Sequence, residues 1–242
     1  MTLKYADKTI LSDIKLTLPS RKWVALLGPS GVGKTSLLRI LAGIQTPLEK
    51  ITGNITCDQP GILASHISMM AQQDLLLPWL SVLENATLKL KLRYHNKTQQ
   101  QHIKQQAQTL LISVGLADAL TLYPHQLSGG MRQRVALVRT LLEDKPIVLM
   151  DEPFSALDAI TRYKLQHLAR QMLVDKTVLF ITHDPQEALR LADDIYLLIG
   201  QPATTQLFKQ LSSPTPRSLD DETVIRLQAE LYSALQLASI AI

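Results

Sequence analysis

At 242 residues, with 46% hydrophobic and 5% aromatic side chains, the chain can bury one large core or form one domain with a sizeable insertion. No stretch approaches the roughly 20 apolar residues of a membrane helix, and the opening MTLKYADKTI has neither a basic n-region nor an apolar h-region, so neither a span nor a signal peptide is expected. A formal net charge of +4 and a pI near 9.1 are only mildly basic; with no basic run longer than two residues, they suit a solvated surface near anionic lipid and argue against nucleic acid.

Short β-like pieces come first: LKYAD, ILSDIKLTL and KWVALLG. The second alternates in part, as a half-exposed strand does, while VALLG is an apolar run of the buried-strand type. A helix is predicted from about Gly33 to Ala42, then strands at ITGNIT and HISMMAQ. Between the last two lies Cys57, the single cysteine, which excludes an internal disulfide and fits a reducing compartment. From about Asp74 to Asp144 the pattern turns helical, with a glutamine-heavy stretch at YHNKTQQQHIKQQAQ. Strand signals return at PIVLMD and KTVLFITH, with the helix AITRYKLQHLARQML between them, an order that implies a parallel sheet. Beyond Gly200 the chain turns polar and proline-bearing and ends in a predicted helix, DDETVIRLQAELYSALQLA. No internal repeat is visible. The layout is an α/β core interrupted by a helical insertion.

GPSGVGKT, Gly28 to Thr35, fits G-x-x-x-x-G-K-[ST], placed after an apolar strand and opening a helix. Such glycines let backbone N–H groups curl around phosphate oxygens, and the helix N-terminus adds partial positive charge. Lys34 would sit between β- and γ-phosphates, and the Thr35 hydroxyl would ligate Mg²⁺. An ordinary glycine turn would not require both residues at these offsets. IVLMDEP, Ile147 to Pro153, ends an apolar run in two carboxylates: Asp151, which can hold Mg²⁺, and Glu152, placed to accept a proton from attacking water. Alone that motif is weak, because strands often end in acids; paired with the phosphate loop it specifies a hydrolysing site. His183 in FITHDP closes another apolar strand. A histidine there is commonly a hydrogen-bonded end residue, but a parallel neighbour ending in Asp151 would bring both side chains to one sheet edge, within reach of a γ-phosphate.

LSGGMRQR, residues 127 to 134, holds a paired glycine at the mouth of a long predicted helix. Together with the phosphate loop it resembles the nucleotide-binding subunit of ABC transporters, a likeness that extends over almost all of residues 1–200. Leu127, Ser128, Gly129, Gly130 and Met131 resemble the family's signature motif. Ser128 would cap the helix, and the bare glycines would let backbone N–H groups approach a γ-phosphate. The resemblance implies that this phosphate belongs to ATP on the other subunit of a head-to-tail dimer. It also implies the fold: a P-loop NTPase α/β core with a mainly parallel sheet, an N-terminal antiparallel β subdomain and an inserted α-helical subdomain. The expected domain is 1–200, with the insertion at about 74–144 and a helical extension over 201–242.

The same resemblance assigns further residues. ATP would meet Tyr5, Gly28, Pro29, Ser30, Gly31, Val32, Gly33, Lys34, Thr35 and Ser36, with Tyr5 stacking on adenine; an ordinary strand aromatic is the alternative for Tyr5. Mg²⁺ would involve Thr35, Asp151 and Gln72. Gln72 is favoured over Gln73 because Pro78 and Trp79 fall at family spacing from it. Glu152 and His183 would be catalytic, and Asp158, in SALD, would communicate between subunits. The loop reads Lys-Thr-Ser where Lys-Ser-Thr is usual, which keeps a hydroxyl at Thr35, and PSRKW lacks the common Gly-Glu pair. Met131, where many members carry Gln, together with LLPWLSVLENA, resembles the importers of taurine, alkanesulfonates, nitrate or thiamine-pyrimidine precursors. The implied partners are a second copy or a homologous ATPase subunit, a transmembrane permease and a periplasmic solute-binding protein. The implied location is peripheral, on the cytoplasmic side of the inner membrane. A helical segment around Leu75 to Leu83 is either the permease dock or ordinary helical core. A soluble, non-transport ABC ATPase is the alternative; those usually carry two cassettes or a long coiled-coil insertion, and this chain shows neither.

Overall fold

The computed structural model describes residues 1–94 and 96–240 and divides them into two compact units. One holds Met1–Ile67, Pro146–Glu152 and the chain from Val174 onward; the other holds Ser68–Lys145 and Pro153–Leu173.

In the first unit, β1 (Thr2–Tyr5) and β2 (Lys8–Leu11) form an antiparallel hairpin. The β-like pattern continues beyond Leu11 in the sequence, but Asp13 at φ 47° breaks the extended backbone, so the second predicted strand ends early. β3 (Trp23–Leu27) is buried at every position, which an unbroken apolar run requires of a strand covered on both faces. α1 (Lys34–Leu41) starts directly after the glycine loop, and β4 (Glu49–Thr52) completes an antiparallel sheet of order β2-β1-β4. β5 (Ile67–Met70) carries the chain into the second unit.

There α2 (Val82–Arg93), α3 (Lys97–Ser113) and α4 (Gly129–Leu142) pack through Val82, Ala86, Leu90, Ile103, Ala107, Leu111, Val135 and Val138, all buried. α2 begins at a capping box: the Ser81 hydroxyl accepts from the Glu84 amide, and the Glu84 carboxylate accepts from the Ser81 amide at 2.9 Å. The segment read as helical from Leu75 is irregular up to that cap. Leu75 lies at φ 49°, Pro78 offers no amide, and the buried Asn85 takes over the backbone bonds a helix would make, accepting from Leu77 N and donating to Leu77 O and Leu80 O. The unit runs over Ser68–Lys145 and Pro153–Leu173, against an expected insertion at about 74–144.

β6 (Ile147–Asp151) returns the chain to the first unit, α5 (Ala159–Met172) belongs to the second, and β7 (Thr177–Ile181) follows. α6 (Pro185–Leu191), β8 (Asp194–Ile199), β9 (Thr204–Gln210) and α7 (Glu222–Ile240) complete the first unit. Strands β6-β7-β3-β8 lie side by side in parallel, and β9 closes the edge antiparallel to β8. β8 and β9 were not anticipated. DIYLLI follows so closely on the helical pattern of α6 that no boundary signal separates them, and β9 is a mostly polar edge strand.

Candidate active site

The parallel order sets the geometry, because β3, β6 and β7 deliver the phosphate loop, the acidic pair and the histidine to one edge of the sheet. Gly28 follows β3 where a Cβ would collide with the Leu198 carbonyl oxygen of the neighbouring strand, so only glycine lets the loop start here. Gly33 closes the loop at φ 110°, a conformation that costs glycine little, and hands over directly to α1. Inside the loop, Lys34 Nζ donates to Gly28 O and Pro29 O, both at 2.8 Å. Burial lowers the Lys34 pKa, opposed by the charges of Glu152 and Asp151.

Thr35 Oγ1 donates to Asp151 Oδ2 at 2.7 Å. Asp151 is buried at the end of β6, and that burial raises its pKa, with the Thr35 hydrogen bond opposing. A hydroxyl beside a desolvated carboxylate is a hard-oxygen donor pair, which suits Mg²⁺ held with phosphate oxygens and water. Among the described residues no cluster of three or more His, Cys, Asp or Glu side chains makes an all-protein metal cage.

Glu152 adopts φ 50°, an uncommon conformation for a residue with a side chain, fixed by its amide donating to Ile181 O at 3.0 Å. That turn swings its carboxylate toward the end of β7, where Oε1 lies 3.3 Å from His183 Nδ1. The Glu152 side chain is 19% exposed and the His183 side chain 65%, so the imidazole faces out of the edge while the carboxylate sits behind it. Lys34, Thr35, Asp151, Glu152 and His183 thus gather at one edge of the first unit. Beside the loop a cavity of about 510 Å³ opens between Leu27–Ser30, His183, Tyr232, Leu235 and Gln236. The last three, on α7, were missed in sequence, where nothing local relates them to the loop. Tyr5 ends β1 about half exposed.

Gln72, Ser128–Met131 and Asp158 belong to the second unit. Gln72 is exposed in the bend after β5. Ser128 caps α4, its hydroxyl accepting from Met131 N at 3.2 Å. A Cβ at Gly130 would meet Ala156 O at 3.1 Å, whereas at Gly129 it would meet only Arg132 Nη2, at 3.8 Å. The first glycine is therefore bare toward open space. Buried Gln133 accepts from Ala156 N at 2.9 Å and so holds the SALD loop to α4, a role that its polar type inside a helix only hints at. Asp158 caps α5, accepting from Thr161 N at 3.0 Å, and that hydrogen bond lowers its pKa.

A family model described as ABC transporter matches residues 11–155. The chain is 41% identical over 241 residues to the aliphatic sulfonates import ATP-binding protein SsuB 1 of Rhodococcus jostii, covering 99% of this chain and 92% of that protein. It is also 41% identical over 240 residues to an ABC transporter ATP-binding protein of Haemophilus influenzae, covering 97% and 96%. Among solved structures, the dimeric structure of MJ0796, a bacterial ABC transporter cassette, superposes with a TM-score of 0.70 at 28% identity, covering 90% of this chain and 99% of that one. A post-hydrolysis state of the same cassette, bound to ADP and Pi, gives 0.68 at 27%.

Proposed function

The chain belongs to the ABC transporter family and is an ATPase of it, and from that premise we propose that it powers an importer by closing as a dimer over two ATP molecules with Mg²⁺. The observation that carries the reading is the Glu152–His183 pair, 3.3 Å apart, at the sheet edge that also presents Lys34, Thr35 and Asp151. Lys34 exchanges the loop carbonyls for β- and γ-phosphate oxygens. Thr35 and Asp151 would hold Mg²⁺, which when bound would supply positive charge against the phosphate oxygens, and Gln72 would sense its presence. Glu152 takes the proton of the attacking water, and His183 contacts the γ-phosphate. Tyr5 stacks on adenine. Ser128, Gly129 and Gly130 serve the γ-phosphate on the other subunit, and Asp158 links the two sites. Loss of the bridging phosphate reopens the dimer.

Among the described residues no helix is long and apolar enough to cross a membrane, so the pathway is assigned to a partner permease, with this chain peripheral on its cytoplasmic side. Trp79 and Leu75, 68% and 59% exposed, are the contact assigned to it. The relatives named as aliphatic sulfonate importers support an aliphatic sulfonate as cargo, delivered by a periplasmic binding protein. A strain lacking this gene tests the whole reading. Uptake of a labelled alkanesulfonate should be lost, restored by the parent gene and not by Glu152→Gln. Undiminished uptake in the deletion strain would overturn the cargo, and full complementation by Glu152→Gln would overturn the site.

A further inference from the structure

The segment that carries the assigned permease contact is held from outside itself, by two arginines of α4. Arg132 and Arg139 stand about two helical turns apart and so share one face of that helix. Arg139 donates from Nη2 to Asp74 O at 2.6 Å and from Nη1 to Leu75 O at 3.0 Å. Those carbonyls belong to the planar peptide groups on either side of the Leu75 Cα, so one guanidinium orients both planes. The guanidinium is a rigid fork, and the relative tilt it imposes fixes the Leu75 dihedrals. Leu75 lies at φ 49°, in the left-handed region, and is 59% exposed. The Asp74 carboxylate completes the grip: Oδ1 accepts from Leu76 N at 3.1 Å and Oδ2 from Arg132 Nε at 3.0 Å. Arg132 also donates to Leu127 O at 2.8 Å and so serves two segments, whereas Arg139 bonds the Asp74–Leu75 turn.

We propose that Arg139 is a positioning residue for the permease contact, holding Leu75 in the left-handed geometry that the permease meets. This rests on the reading of Leu75 and Trp79 as that contact. A residue with a Cβ disfavours the left-handed region by a factor of about five to thirty. Without the fork, most molecules would carry Leu75 in another conformation, with its side chain aimed elsewhere. A partner that fits one geometry then binds with an affinity reduced by the fraction still in that geometry. The bond from Leu76 N to Asp74 Oδ1 survives the loss of Arg139 and keeps the expected effect near the lower end, about fivefold. The fork is preorganisation: it orders the turn before docking rather than during it.

Saturable binding of the full chain to membranes provides the test. The probe is inside-out vesicles from a strain lacking this gene, washed free of peripheral proteins, with protein-free liposomes of the same lipids as background. The chains compared are the parent, Arg139→Ala, Leu75→Ala and the double variant Arg139→Ala/Leu75→Ala. Arg139→Ala should raise the half-saturating concentration about fivefold, and Leu75→Ala should raise it at least as far by removing the contact itself. In the Leu75→Ala background, Arg139→Ala should add less than about twofold, since the side chain it positions is gone. In the isolated chain, hydrogen exchange of the Leu76 amide, followed by NMR, should quicken about fivefold in Arg139→Ala. Parental binding by Arg139→Ala while Leu75→Ala binds weakly overturns the proposal. So does an equal loss in both backgrounds, which marks a general structural effect, or unchanged exchange at Leu76. A parent without saturable binding above the liposome background, or Leu75→Ala that binds as the parent does, would instead overturn the reading of the contact on which the proposal stands.

Discussion

Glu152 is held at φ 50° at the end of β6 by its amide bond to Ile181 O, which leaves its carboxylate 3.3 Å from His183 Nδ1, the arrangement from which its proposed role as base is argued. Glu152→Gln keeps the shape and removes the proton acceptor, so turnover should fall by about 10²–10⁴ while ATP binding persists. Light scattering should show an ATP-dependent dimer in that variant, and near-parental hydrolysis would take Glu152 out of the base role. Asp151 gives a second test, through stability. Its folded pKa is raised above the ordinary value of 3.8 by burial, so the native state favours the protonated form. Stability therefore falls as pH rises from that ordinary value through the folded one, and at neutral pH the carboxylate is a net cost. Asp151→Asn should raise the melting temperature of the nucleotide-free chain near pH 7.5, by roughly 2–4 °C for each kcal/mol relieved. That gain should narrow toward pH 4, while Mg²⁺-dependent hydrolysis is lost. A lower melting temperature at pH 7.5 would show that the Thr35 bond outweighs desolvation. These residues were legible in sequence because their chemistry is local: GPSGVGKT and IVLMDEP each carry their own spacing. That His183 shares a sheet edge with Asp151 followed from one further step, the parallel pairing that sets Asp151 opposite Ile181, whereas its contact with Glu152 depends on the turn at Glu152 and was not legible. Tyr232 was not legible, since only the docking of α7 brings it to the loop.

The helix α4 shows how an element can be built for something outside itself. At Gly130 a Cβ would press on Ala156 O at 3.1 Å, but at Gly129 a Cβ would meet nothing nearer than Arg132 Nη2, so packing does not explain that glycine. Ser128 is a poor probe, because losing its cap would by itself cost about 1 kcal/mol of stability. Gly129→Asp is cleaner. It should fold with a melting temperature within about 2 °C of the parent, as an acidic residue in a helix's first turn is tolerated, and still bind ATP through Lys34. Closure and hydrolysis should be lost, because a carboxylate would face a phosphate in a partly desolvated site. Retained hydrolysis would leave the glycine without its proposed phosphate. The cap and paired glycines of α4 could be read from sequence because helix starts have residue-level rules. The irregular segment from Leu75 to Ser81 could not, since its apolar pattern runs on into α2 and only the hydrogen bonds of Asn85 reveal the interruption.

At the scale of the whole molecule the question is which chain completes which site. Lys34 lies in the first unit and Gly129 in the second, so one chain carries both halves, and the proposed dimer would join the loop of each copy to the signature of the other. A mixed dimer, with Lys34→Ala in one chain and Gly129→Asp in its partner, separates the arrangements. If the signature works across the interface, one composite site receives both lesions and the other receives none. If it works within a chain, each site receives one lesion and neither is whole. Binding alone does not distinguish these, because the Gly129→Asp chain retains Lys34 and takes up ATP in both cases. Occlusion does, since only a closed site with both halves intact should hold ATP through rapid dilution. Differently tagged chains, purified as the mixed dimer and labelled with ATP, should retain one nucleotide per dimer, carried on the Gly129→Asp chain. Each homodimeric variant should retain none. No occluded ATP on the mixed dimer would overturn the arrangement in which the signature of one chain completes the site of the other.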